Sequence, residues 1–238
     1  MTSLQQRRHL PLDGTRNVRD VGGYPAAGGR RIRWHTLLRS DELTRLPGHA
    51  ADELRGIGVR QVIDLRWPNE LELSPNLFRD DPDVRYLSIP LLADDPTPRI
   101  GLDGMYRLIL DERLPQLAAV VRALAVPDGL PAIVGCAAGK DRTGVTIAVV
   151  LALAGVADQD IIDDYAMSAG YFSAANHTIP TEDWRHSPLV VESPPAFMVS
   201  MLDHLHREHG GARALLLSGG VTVAELDALV ARLTEPAG

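Results

Sequence analysis

The chain predicts a single α/β domain with a mostly parallel central sheet flanked by helices. Three observations carry the fold class. Short β-branched runs alternate with longer segments of helical spacing, the pattern of strands joined by crossover helices. One helix, at residues 143–154, is apolar all round and so belongs in the centre of the molecule. With 238 residues, 45% of them hydrophobic, the chain can fill a sizeable core without staples.

Element by element, residues 1–11 read as a tail. Residues 17–23 (NVRDVGG) are rich in turn formers, and residues 32–38 read as a short strand ending at Arg39, Ser40 and Asp41. A helix at 47–55 stops near Gly56 and Gly58. Residues 59–65 (VRQVIDL) alternate and are β-branched, hence a strand. Residues 66–82 are polar and proline-bearing, hence loop. A second such strand spans 84–92 (VRYLSIPLL), and the loop 93–98 follows it. Residues 105–125 carry helical spacing, broken near Pro115. A short buried strand at 132–134 leads into the loop 135–142 and then the apolar helix. A further helix spans 160–169. Residues 171–195, irregular and bearing Trp184, are a candidate helical lid. The next helix runs 195–209 and ends at Gly210 and Gly211. Thr222 and Glu225 form a capping-box pattern for a last helix reaching Leu233.

Composition excludes several classes. One cysteine rules out an internal disulfide. A net charge of −7 argues against a general nucleic-acid surface. The first residues lack an apolar stretch behind their arginines, so no cleaved signal is expected, and the expected location is cytoplasmic. The longest apolar stretch, 145–156, falls short of the roughly 20 residues that span a bilayer, so no stable membrane insertion is expected.

The basic residues are almost all arginine; the only lysine is Lys140, and the only cysteine is Cys136. Codon bias can make lysine scarce, but it does not explain why the single lysine and the single cysteine share one short loop. Cys-x5-Arg alone is weak, because an arginine falls at any given position about one time in ten here. The longer string CxxGKxRTG, between a β-branched strand and a helix, is far more specific.

The chemistry needs that setting. A strand–loop–helix turn aims successive backbone N–H groups into one concavity at the positive end of a helix dipole, where a phosphate dianion can sit. Ala137, Ala138 and Gly139 carry almost no side chain, so the backbone can close around the ligand. Arg142 offers a planar fork to two phosphate oxygens. The same field favours the thiolate of Cys136, and Thr143 can donate to its sulfur. In-line attack of that thiolate gives a phosphocysteine, which water hydrolyses. No metal or other cofactor is called for.

The loop resembles that of the cysteine-dependent protein tyrosine phosphatase superfamily. Its GKDRTG form is similar to the bacterial atypical tyrosine phosphatases, whose substrates include phosphorylated proteins and phosphoinositides. Residues 17–23, 38–41 (LRSD), 62–66 (VIDLR), Asp164, Tyr165 and the pair Gly220–Val221 resemble further markers of that family. The resemblance runs from about residue 12 to 233 and implies Cys136, Arg142 and Asp141 as catalytic residues, Asp141 being the loop aspartate that serves as acid. It also makes Lys140 a contact for phosphate or inositol phosphate. The family carries histidine just before its nucleophile; here that position is Gly135.

Other carboxylates compete for the role of acid. Asp94 and Asp95 follow a strand, where related dual-specificity enzymes keep theirs. Asp64 ends another strand beside Arg66, where structural pairing of the two is an equally good account. His204, His206 and His209 spread around a helix and read as a solvated helix end, not a metal site. The glycine pairs at 22–23 and 28–29 read as turns. Two classes of function follow: a phosphatase acting on phosphotyrosine, phosphoinositides or related monoesters, or a weakly active phosphate-binding domain because of Gly135. A persulfide carrier is disfavoured by the Arg-Thr-Gly helix start.

Overall fold

The computed structural model describes residues 8–94, 96–173 and 192–237. Its main sheet has the order β1-β4-β7-β5-β6, formed by β1 (Arg19–Asp20), β4 (Leu37–Ser40), β7 (Ala132–Gly135), β5 (Gln61–Asp64) and β6 (Arg85–Ser88). The last four strands run parallel and β1 pairs antiparallel with β4, the mixed α/β architecture the sequence predicts. A small antiparallel sheet joins β2 (Pro25–Ala26), β3 (Arg30–Ile32) and β8 (Thr234–Pro236).

Successive residues of a strand face opposite sides, and both sides of this sheet are apolar. Leu37, Ile63 and Val134 point into the larger core, while Leu38, Val62 and Ile133 point into the smaller one. The smaller core is closed by α1 (Gly48–Ile57), through Ala50, Ala51 and Leu54. The larger is closed by α3 (Thr97–Glu112), α4 (Leu114–Ala125), α5 (Asp141–Leu153), α6 (Asp158–Ser173), α7 (Pro195–His209), α8 (Ala212–Ser218) and α9 (Val223–Leu233). Residues Arg142 to Leu151 of α5 are all buried, as an all-apolar helix requires. No helix among the described residues is long and apolar enough to cross a membrane.

Several expectations hold. The 105–125 pattern breaks at Arg113, with Pro115 in the first turn of α4. Thr222 and Glu225 close a capping box at α9, with Glu225 N–H donating to Thr222 and Thr222 N–H to Glu225.

Others are corrected. The run 32–38 is not one strand: β3 and β4 lie in different sheets, and the chain turns between them at His35, whose φ is +56°. The loop at 66–82 contains a helix, α2 (Pro68–Leu73). Residues 8–11 are not a loose tail: Arg8 donates to the Gly22 carbonyl and lies over the Tyr24 ring, and His9 stacks on Tyr171. Most of the candidate lid falls outside the described residues.

Candidate active site

Parallel register sets Ser40, Gly135 and Asp64 side by side at the carboxyl ends of β4, β7 and β5, the edge of an open α/β sheet where ligands bind. Cys136 follows directly and is buried. The loop 136–140 then passes into α5 at Asp141.

Its carbonyls are tied from outside, one after another. The Glu42 N–H donates to the Ala137 carbonyl at 3.2 Å. Asn17 Nδ2 donates to the Ala138 carbonyl at 2.9 Å. Arg39 donates to the carbonyls of Gly139 at 2.8 Å and Lys140 at 3.4 Å. In a trans peptide the N–H points opposite to the C=O. Fixing these four carbonyls outward therefore turns the N–H groups of residues 138–141 to the other side, where they can line one concavity.

The tethers are themselves held. Asp41 accepts the backbone N–H groups of Arg16 and Asn17 at 2.9 and 3.2 Å, which sets Asn17. Burial raises the Asp41 carboxyl to about 6, against those backbone donors. Arg39 and Arg19 are both fully buried and converge on Asp164 of α6. Burial pushes Asp164 up, but the two guanidinium groups outweigh it and hold the carboxyl below its ordinary value.

Two glycines are required by space. Gly139 has φ +64°, and a Cβ there would stand 2.4 Å from the Ser40 carbonyl oxygen. At Gly135 a Cβ would stand 2.4 Å from Ser40 Oγ and 3.1 Å from its carbonyl oxygen. The histidine expected before the nucleophile is therefore excluded unless Ser40 moves.

Arg142 is buried and lies with its guanidinium carbon 4.2 Å from the Trp67 ring centre. Both terminal nitrogens donate to Glu70, at 2.6 and 2.9 Å, and the backbone N–H of Trp67 donates to the same carboxylate at 2.7 Å. Burial would lower the Arg142 pKa, yet Glu70, then Cys136 and Asp141, together raise it. The sequence reading assigned the fork to phosphate and missed Glu70. Pro68 in the first turn of α2, with Glu70 next after Asn69, was the helix-start signal that could have found it.

Asp141, the first residue of α5, accepts a hydrogen bond from Tyr106 Oη of α3 at 2.5 Å. The Tyr106 and Tyr165 hydroxyls meet at 2.8 Å. Burial first, and Asp141 second, push Tyr106 well above its ordinary value, so it remains a neutral donor. Lys140 is not a surface lysine. It is fully buried, donates from Nζ to the Glu192 carbonyl at 2.7 Å, and lies 3.5 Å from Asp141. Thr143 is also fully buried, and its hydroxyl makes no hydrogen bond among the described residues, to sulfur or otherwise.

The remaining acids separate cleanly. Asp64 is saturated by Arg66 Nε and NH2, Asn76 Nδ2 and the Tyr86 hydroxyl, so it and Arg66 form a structural pair. Asp94 is exposed and 3.7 Å from Arg99, and Asp95 lies outside the described residues. The three helix histidines do not simply spread into solvent: His204 and His209 both meet Asp111, while His206 pairs with Asp158.

A strand-ended, carbonyl-tethered loop with a buried cysteine and an arginine at its far end is a candidate anion-binding site. The chain belongs to the tyrosine phosphatase family, whose model matches residues 10–235. A tyrosine-protein phosphatase of Nostoc commune is 29% identical over 235 residues, covering 88% of this chain and 78% of its own. The triple specificity protein phosphatase PtpB of Mycobacterium tuberculosis is 31% identical over 195 residues, 68% of each chain. A crystal structure of P. aeruginosa TpbA overlaps 60% of this chain and 82% of its own, with 18% identity and a TM-score of 0.38.

Proposed function

We propose that this phosphatase hydrolyses phosphotyrosine and related aryl phosphomonoesters through a phosphocysteine at Cys136. The observation that supports this most is the run of four outward-tied carbonyls, which turns successive N–H groups toward a dianion beside the thiol. Arg142 spends two of its five N–H donors on Glu70. Its other donors remain for phosphate oxygens, while Glu70 fixes the plane of the guanidinium.

The Cys136 thiolate attacks phosphorus, the P–O bond to the leaving group breaks, and Asp141 gives that oxygen a proton. Thr143, whose hydroxyl has no competing partner among the described residues, can turn to donate to the thiolate. In the second step Asp141 takes a proton from water as the water attacks phosphorus, the P–S bond breaks, and the thiolate is restored. Backbone dipoles and Arg142 carry the charge that develops on the transferring group. Lys140, committed to Glu192 and Asp141, supports the loop and the acid; a preference for inositol phosphates through Lys140 has no such support. The presence and bracing of Cys136, Arg142 and Asp141 favour turnover over a purely phosphate-binding role.

The test is turnover of para-nitrophenyl phosphate in the presence of a metal chelator, with vanadate binding measured alongside. Cys136→Ser should abolish turnover and keep anion binding. A serine variant that retains substantial activity would rule out the thiolate mechanism.

A further inference from the structure

Away from the phosphate loop, α3 and α7 bring together three side chains suited to a metal ion. His204 and His209 stand five residues apart on α7, a spacing that ordinarily separates side chains around a helix. His209 is the last residue of α7, before Gly210 at φ +70°. There both imidazoles turn toward α3. Each Nε2 lies 2.8 Å from the same oxygen, Oδ1 of Asp111. The rings meet edge to face, 5.4 Å between centres. One ligand atom from each of the three residues falls within 4.8 Å of the other two.

We propose that Asp111, His204 and His209 form a binding site for a divalent transition metal ion of the zinc class, clamping α3 to α7. Two imidazole nitrogens and one carboxylate oxygen are ligands that zinc accepts, and calcium or magnesium would require more oxygens. Zinc holds nitrogen and oxygen at roughly 2.0–2.1 Å, which places tetrahedral ligand atoms about 3.3 Å apart. That spacing exceeds the present nitrogen-to-oxygen distances of 2.8 Å by about half an ångström, and the two nitrogens stand within 4.8 Å of each other. Hydrogen bonds from two neutral imidazoles could explain one contact each. They do not require both donors to converge on a single oxygen when Asp111 offers two.

The imidazoles are about one-fifth exposed and Asp111 is 43% exposed. An ion can therefore enter, and water can complete its shell. The clamp would join the two helices that also meet higher up, where Phe197 of α7 packs edge to face on Tyr106 of α3. It is thus placed to steady the helix that carries the Asp141 donor, yet the site stands or falls independently of the phosphatase chemistry.

The experiment is zinc titration by calorimetry of the full chain, free of any histidine tag, in the Cys136→Ser background so that the thiol does not compete. Thermal unfolding is followed with and without zinc. The proposal expects one site per chain. It also expects a rise in midpoint of roughly 5–10 °C at zinc about 100-fold above Kd. His204→Gln, His209→Gln and Asp111→Asn should each weaken binding at least tenfold, and His206→Gln should leave it intact. The glutamine and asparagine side chains can still hydrogen-bond, so the metal-free variants should unfold near the parent's midpoint. Absence of a one-to-one site, or a site that survives loss of both His204 and His209, overturns the proposal.

Discussion

Replacing Tyr106 with phenylalanine isolates the placement of the proposed acid, Asp141, from the rest of the site. The substitution deletes one hydroxyl, which donates to Asp141 at 2.5 Å and meets Tyr165 at 2.8 Å. A hydrogen bond to a charged group contributes about 1.5–3 kcal/mol. If that energy positions Asp141 for proton transfer, its loss slows the acid-dependent step by roughly 10- to 150-fold, at 1.36 kcal/mol per decade. Nothing on the loop or on Arg142 is touched, so KM should change little. The loss should be largest for alkyl phosphates, intermediate for phosphotyrosine peptides and small for para-nitrophenyl phosphate, because protonation matters most when the leaving oxygen is basic. The assay is steady-state kinetics over a leaving-group series, for Tyr106→Phe beside Asp141→Asn. The losses of both variants should grow in the same direction across the series, more steeply for Asp141→Asn. Equal losses across the series, or none, would refute the reasoning, since a merely structural hydroxyl has no cause to discriminate among leaving groups.

Glu70→Ala strands the buried Arg142 without its carboxylate, a change expected to cost about 3–5 kcal/mol. Added phosphate should then raise the variant's unfolding midpoint more than the parent's, by re-pairing the guanidinium; equal rises would show that Glu70 does not anchor it. Asp41 is held near 6 in the folded chain, against an ordinary carboxyl of 3.8. The unfolded chain releases that proton first, so this group lowers stability as pH rises from about 4 to about 6, by on the order of 3 kcal/mol, and not further above that. Urea unfolding at stepped pH should show Asp41→Asn without that decline, and an unchanged pH profile would remove Asp41 as its source. Gly135→Ala should cost about 1–3 kcal/mol by overpacking against Ser40. In a double-mutant cycle, Ser40→Gly should recover part of that cost, and strict additivity would count against the contact.

What the chain disclosed by itself was whatever rests on neighbours in sequence. The Cys136 loop sits between a β-branched strand and an apolar helix, and all three are contiguous. Pro115 and the Thr222 capping box announce helix starts locally. By contrast α2 buries none of its residues, so hydrophobic periodicity had nothing to register, and the helix matters through one carboxylate meeting Arg142. Tyr106 stands 35 positions from Asp141 and looks like an ordinary core aromatic until α3 and α5 are packed together. Arg39 and Asp164 lie 125 positions apart. Their pairing was signalled only as family-like markers, and the loop carbonyls it braces emerge from the tertiary arrangement. His35 disrupted the reading of residues 32–38 because a left-handed turn at a non-glycine residue leaves no compositional trace.

The solitary cysteine also determines how this enzyme meets oxidants. A sulfenic acid formed on Cys136 has no second cysteine in the chain with which to condense. Enzymes with a resolving thiol park the oxidised sulfur as an internal disulfide, protected from further oxygen. Here the reversible routes are a backbone nitrogen, giving a sulfenamide, or a small thiol from solution; the alternative is irreversible sulfinic acid. Burial of Cys136 thus shields the sulfur from oxidants. Recovery after oxidation depends on how readily an external thiol can reach the buried sulfur.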